Sequence, residues 1–175
     1  AGLSKPFKRV IPNPYDYQKI LIDKVAQGFK SSDRGQLIMA CGTGKSYMGV
    51  WVSESLKSNS ILILVPSLML MTDTLKNWLL TSKVLPNILC VCSDPTVTKN
   101  KTKDEEYDSF IQTLNDCPFP VYNKIDDIKA FMGSQSKHVI ISTYDSVNLI
   151  AEAQLKINKY KHHFDLIIFD EAHKC

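Results

Sequence analysis

Gln36-Leu37-Ile38-Met39-Ala40-Cys41-Gly42-Thr43-Gly44-Lys45-Ser46 is the stretch on which the fold turns. A short apolar run leads into a glycine-punctuated turn, and from Lys45 to Lys57 the pattern is helical. The order strand, turn, helix aims successive backbone N–H groups at one spot, where the positive end of the helix also favours an anion. Gly42 and Gly44 let the backbone come close without a Cβ, Lys45 can reach the outer phosphates of a triphosphate, and the Ser46 hydroxyl can ligate Mg²⁺. Cys41 and Thr43 complete the loop. A lone Gly-Lys-Ser also occurs at ordinary helix starts with a solvated lysine. Here the strand before it and the amphipathic helix after it favour phosphate binding. The common G-x-x-x-x-G-K-[ST] pattern would place glycine at 39, where this chain has Met39.

The rest of the chain repeats the alternation of strand and helix. Residues 17 to 29 read as a helix with Ile20, Leu21, Val25 and Phe29 at helical spacing, ahead of a short strand at 36 to 40. Ile61 to Val65 reads as a fully buried strand ended by Pro66. Ser67 then caps a helix whose Leu68, Met71, Leu75 and Leu79 form one stripe. Further strands are expected at 87 to 92, 138 to 144 and 164 to 169, with helices at 126 to 131 and 147 to 155. The lysine-rich stretch Thr96 to Glu106 reads as a loop or insertion, and Lys156 to His163 as a basic connection. Continuous apolar strands between helices specify an α/β domain, a mainly parallel sheet with helices on both faces.

Asp170-Glu171-Ala172-His173 follows the last of these strands, at the carboxyl edge where ligands bind in open α/β sheets. Asp170 is placed to hold the Mg²⁺ of a bound nucleotide, and Glu171 to orient or deprotonate an attacking water. A solvated acidic loop is the plain alternative, and the phosphate loop upstream weakens it.

At 175 residues, 44% hydrophobic and 22% charged, the chain suits one ordinary domain, and its apolar runs fall far short of the ~20 residues of a membrane span. No membrane partner is expected. Ala1-Gly2 reads as a processed or added start. The five cysteines lack paired spacing, which argues against disulfides or zinc and for a reducing, intracellular setting: cytoplasm, nucleus, or a virion if the source is viral. Cys90 and Cys92 share one side of a strand and read as buried small hydrophobes. Net charge is +3, and residues 3 to 34 carry seven Lys or Arg against three Asp, compatible with a phosphate-backbone partner. His162-His163 reads as a solvated pair, and Trp51 and Trp78 as core.

Met39-Ala40-Cys41-Gly42-Thr43-Gly44-Lys45-Ser46 followed by Asp170-Glu171-Ala172-His173 resembles motifs I and II of superfamily 2 helicases and translocases. That family's loop does not ask for glycine at the position of Met39. Tyr17-Gln18 looks like its adenine-reading glutamine, with Tyr15 or Tyr17 able to stack on the base. Val65-Pro66-Ser67 looks like motif Ia, and Ser142-Thr143-Tyr144-Asp145-Ser146 like the segment between motifs Ib and II. In relatives these segments line a nucleic-acid track, which implies Pro66, Ser67, Thr143 and Tyr144 as contacts, although Ser67 equally reads as a cap. His173 is similar to the family's coupling histidine. Asp73 departs from the glutamine that relatives often carry on the motif Ia helix.

The match is most similar to the motor subunits of Type I and Type III-like restriction enzymes and related viral helicases. It implies a RecA-like P-loop NTPase domain at 15 to 175 behind an extension at 1 to 14. It further implies ATP and Mg²⁺ as cofactors, DNA (or RNA) as partner, and a second RecA-like domain that supplies an arginine finger. On this expectation the chain is the first motor domain alone, or part of a longer protein, with catalysis resting on Lys45, Asp170 and Glu171. The other readings are a non-catalytic ATP-gated scaffold and a P-loop ATPase with a non-nucleic-acid partner.

Overall fold

Ile61, Leu62, Ile63, Leu64 and Val65 are all buried, as a strand covered on both faces must be. In the computed structural model, which describes residues 9–40, 42–93, 120–133, 136–157 and 164–172, they form β1, Ser60–Val65. The elements before it are α1 (Asp16–Gly28) and α2 (Lys45–Ser55). After it come α3 (Leu68–Thr81), β2 (Asn87–Val91), β3 (Val121–Tyr122), α4 (Ile125–Met132) and β4 (His138–Thr143). A short 3₁₀ turn, Tyr144–Ser146, leads into α5 (Val147–Lys156), and β5 (Leu166–Phe169) is the last strand. The chain divides into two compact units, Ala1–Leu56 with Lys76–Leu85, and Lys57–Leu75 with Pro86–Cys175.

The second unit holds the sheet, in the order β3-β2-β4-β1-β5, and every neighbouring pair is parallel. β1 pairs with β4 from Ser60↔His138 to Val65↔Thr143, and with β5 from Ile61↔Leu166 to Leu64↔Phe169. The α/β expectation therefore holds. The register puts Leu62, Leu64, Leu89, Val91 and Ile140 on one face, where Ile128 and Met132 of α4 and Ile150 and Ala153 of α5 complete a core cluster. Ile61, Ile63, Val65, Val139 and Ile141 point the other way and are equally buried. At the amino edge the Asp165 carboxylate accepts the N–H groups of Asn59 (2.7 Å) and Ser60 (3.0 Å), stapling the start of β5 to β1. His138 Nε2 lies 2.9 Å from Ser60 Oγ across the β1–β4 pair.

In the first unit α1 and α2 pack together, with Met48, Val50, Trp51 and Val52 of α2 buried. Trp78 on α3 is buried too, so both tryptophans are core as expected. The guanidinium of Arg9 donates to the carbonyls of Leu79 and Ser82, each at 2.6 Å, and so caps the end of α3. Glu54 on α2 accepts the Lys83 N–H at 2.7 Å just beyond the same helix end. Lys19, by hydrogen bond and charge, holds the exposed Asp16 carboxyl below its usual range at the start of α1.

Several expectations are corrected. Residues 36–40 form no strand; Ile38 is 81% exposed, and no sheet partner gives this segment its ladder bonds. On α1 the buried positions are Gln18 and Ile22, while Ile20 faces solvent. α2 ends at Ser55, with Lys57 in the left-handed region (φ 56°) closing the turn. Among the described residues β5 is the edge of the sheet, with Ile167 and Phe169 exposed, whereas continuous apolar strands were expected to be covered on both faces. β3 adds a strand where none was expected. Ser67 caps α3 as read, its Oγ accepting the Leu70 N–H at 3.3 Å, and Cys90 and Cys92 are buried as expected. The stretches 96 to 106 and 158 to 163, with Cys41, His162, His163 and His173, lie outside the described residues.

Candidate nucleotide-binding site

The phosphate loop belongs to the first unit. Gly42 (φ 76°) and Gly44 (φ 79°) both occupy the left-handed region, which an L side chain enters at a cost of about 1–2 kcal/mol. Gly44 is the N-cap of α2, and no side chain caps that helix among the described residues. The Tyr47 N–H donates to the Gly44 carbonyl at 3.1 Å, and the N–H groups at the very start of a helix are the ones suited to an external acceptor. Lys45 and Ser46 open the helix with exposed side chains. A Cβ built on Gly42 meets nothing within 4 Å, so the loop has open space on its outer side. These features fit a phosphate chain: converging N–H donors, backbone that can be approached closely, a cation and a hydroxyl.

α1 braces this loop. The Gln18 amide donates to the Thr43 carbonyl at 3.0 Å, and its Oε1 accepts the Tyr15 N–H at 2.8 Å. The second bond is half of a capping box at the start of α1, which accounts for a glutamine only 2% exposed. Tyr17 donates its hydroxyl to the same Thr43 carbonyl at 3.0 Å, and its ring stacks on Tyr15 at 6.0 Å between centroids. The Thr43 hydroxyl in turn donates to the Ala40 carbonyl at 2.7 Å. Tyr15, Tyr17 and Gln18 are therefore brought together with the loop, and Gln18 fills the space behind Gly44, where an added Cβ would sit 2.7 Å from its Nε2.

The acidic pair belongs to the second unit. The Asp170 N–H donates to the Leu64 carbonyl at 2.9 Å, which continues the β5 ladder one residue and fixes where the carboxylate emerges. Glu171 has φ 55°, a left-handed conformation that a β-carbon disfavours and that turns the chain sharply away from the strand. Both residues are half-buried and follow β5 directly, next to each other at the carboxyl edge.

Pro66 and Ser67 leave the carboxyl end of β1, half-buried and exposed respectively. Thr143 ends β4, the strand next to β1, but it is buried, with its hydroxyl 2.8 Å from Ser146 Oγ. Tyr144 donates its hydroxyl to the Asp170 carbonyl at 2.7 Å. Sequence reasoning did not find Arg9, Ser146 or the Tyr144–Asp170 bond. Only the folded chain brings those partners within reach.

A five-stranded parallel sheet with an acidic pair at its carboxyl edge, together with a glycine loop that opens a helix, defines the RecA-like, helicase-type class of α/β proteins. The chain belongs to the family described as Type III restriction enzyme, res subunit, whose model matches residues 11–175. Among solved structures it is similar to a nuclease-deletion mutant of the Type ISP restriction-modification enzyme LlaGI in complex with a DNA substrate mimic, at 32% identity and a TM-score of 0.70. It is also similar to the ATP-dependent Type ISP restriction-modification enzyme LlaBIII bound to DNA, at 29% identity and a TM-score of 0.73. The matches cover 93% and 94% of this chain but only 15% and 10% of those longer chains. No curated protein matches it.

Proposed function

We propose that this chain is the ATP-binding domain of a nucleic-acid-dependent motor, which couples Mg-ATP hydrolysis to translocation or unwinding in the protein that carries it. The observation that carries the reading is the uncapped helix start behind Gly42 and Gly44, with Lys45 and Ser46 exposed at its mouth. Lys45 and the α2 N–H groups neutralise and orient the phosphates. Ser46 and, separately, Asp170 are assigned to Mg²⁺, which when bound would supply charge neutralisation on the phosphoryl oxygens. Glu171 orients and deprotonates the attacking water. Tyr15, Tyr17 and Gln18 are assigned to the adenine side of the nucleotide, and Gln18 and Tyr17 link that side to the loop through Thr43.

The nucleic-acid track is assigned to the carboxyl ends of β1 and β4, with Pro66 and Ser67 outermost and Thr143 and Tyr144 behind them. DNA is the favoured partner, because the two solved relatives were captured with DNA or a DNA mimic. His173 is assigned to coupling. The arginine that completes the site is assigned to a second RecA-like domain. Stabilisation by such an arginine is worth about 10³ to 10⁵ in rate.

The test is ATP hydrolysis by the full protein with and without single- or double-stranded DNA and RNA. Stimulation by nucleic acid supports a motor. No hydrolysis leaves an ATP-gated scaffold, and hydrolysis indifferent to nucleic acid leaves an ATPase with another partner.

A further inference from the structure

We propose that Tyr144 is a positioning residue for hydrolysis, holding the main chain from which Asp170 and Glu171 project; the inference rests on the motor reading above. Tyr144 follows the last residue of β4, whereas Asp170 follows the last residue of β5, and β1 lies between those strands. The side chain therefore reaches over the end of β1. Its ring stacks on Phe169, with centroids 6.5 Å apart and planes 21° from parallel, and its hydroxyl donates to the Asp170 carbonyl at 2.7 Å. That carbonyl belongs to the peptide joining the two carboxylate-bearing residues. One hydrogen bond thus sets the plane of the peptide that precedes Glu171, at the point where Glu171 adopts φ 55°. A non-glycine residue keeps such a conformation only where its surroundings determine it.

The other end of the tie is equally fixed. Ser146 closes the same 3₁₀ turn and is 1% exposed. Its hydroxyl oxygen accepts the Ser93 N–H at 2.6 Å and lies 2.8 Å from Thr143 Oγ1 and 3.0 Å from Ser93 Oγ. The turn is thereby locked to the ends of β2 and β4. A rigid turn, an aromatic stack and a short hydrogen bond make the segment assigned to the nucleic-acid track mechanically continuous with the acidic pair. Displacement of residues 142 to 146 by a bound strand would be felt first at the Asp170–Glu171 peptide.

Tyr144→Phe deletes the hydrogen bond and keeps the stack, while Tyr144→Leu removes both. In the full protein, with DNA present, Tyr144→Phe is expected to lower kcat about tenfold, a loss of about 1.4 kcal/mol in the transition state. The Kd for a non-hydrolysable Mg-nucleotide should stay within about twofold, since the phosphate loop is untouched, and the melting temperature should be preserved. Tyr144→Leu should lower kcat further; should it fail to fold, the Phe variant still decides. An unchanged kcat in Tyr144→Phe beside a DNA-stimulated wild type overturns this assignment alone. So does a fall in kcat matched by an equal loss of nucleotide affinity or of stability. A wild type that does not hydrolyse ATP overturns the motor reading and this inference with it.

Discussion

Replacing Gly44 by alanine should cost more than the same change at Gly42, although both glycines sit at nearly the same φ, 79° and 76°. Each substitution forces an L side chain into the left-handed region, at about 1–2 kcal/mol, and each gains the same small relief from a stiffer unfolded chain. The difference lies behind the loop. At Gly42 a new Cβ meets nothing within 4 Å, whereas at Gly44 it lies 2.7 Å from Gln18 Nε2. Gln18 is buried and held at both ends of its amide, so it retreats only by giving up the bond to the Thr43 carbonyl. Losing that bond adds about 1 kcal/mol, giving about 2–3 kcal/mol for Gly44→Ala against about 1–2 for Gly42→Ala. Urea denaturation of the two variants, each in the wild-type and the Gln18→Ala background, closes a double-mutant cycle. The reasoning predicts that the extra cost disappears without Gln18. Equal costs for the two glycines, or a gap that survives Gln18→Ala, would refute it.

Arg9→Ala removes charge-assisted bonds to the carbonyls of Leu79 and Ser82 and should lower unfolding stability by about 1.5–3 kcal/mol in urea. Arg9→Lys should recover only part, because an ammonium does not reproduce the guanidinium fork. Glu171→Gln leaves the phosphate loop intact, so the full protein should bind Mg-nucleotide normally while kcat falls by at least about 10². Normal turnover in that variant would remove Glu171 from the chemistry.

Much of this arrangement is legible in the residues themselves, and what is not depends on partners distant in sequence. β1 and β4 announce themselves because a strand in the middle of a parallel sheet must be apolar on both faces, and Ile61 to Val65 and Val139 to Ile141 are. Ser67 and the Gly44-Lys45 helix start are legible because caps and glycine turns are local chemistry. Residues 36–40 mislead for the converse reason. Leu37 and Ile38 are apolar enough for a strand, but a strand also needs a neighbour to pair with, and composition does not report one. β5 is equally apolar and does pair, on one side only, which leaves Ile167 and Phe169 exposed. On α1 a hydrophobicity count picks Ile20, whereas Gln18 is buried alongside Ile22, its amide satisfied by Thr43 and Tyr15. Arg9 and Tyr144 are the same lesson: each acts on a backbone carbonyl that only the fold brings within reach.

The central claim is the proposal that Mg-nucleotide binding depends on both Lys45 and Asp170. Calorimetric titration of the full protein with a non-hydrolysable ATP analogue, with and without Mg²⁺, tests it most directly when repeated on Lys45→Ala and Asp170→Ala. The account predicts Mg²⁺-dependent binding that weakens by about tenfold or more in both variants, since each removes a charged contact worth about 1.5–3 kcal/mol. It further predicts that Mg²⁺ no longer improves binding once Asp170 is gone. Nucleotide binding that needs Lys45 but is indifferent to Asp170 would contradict it.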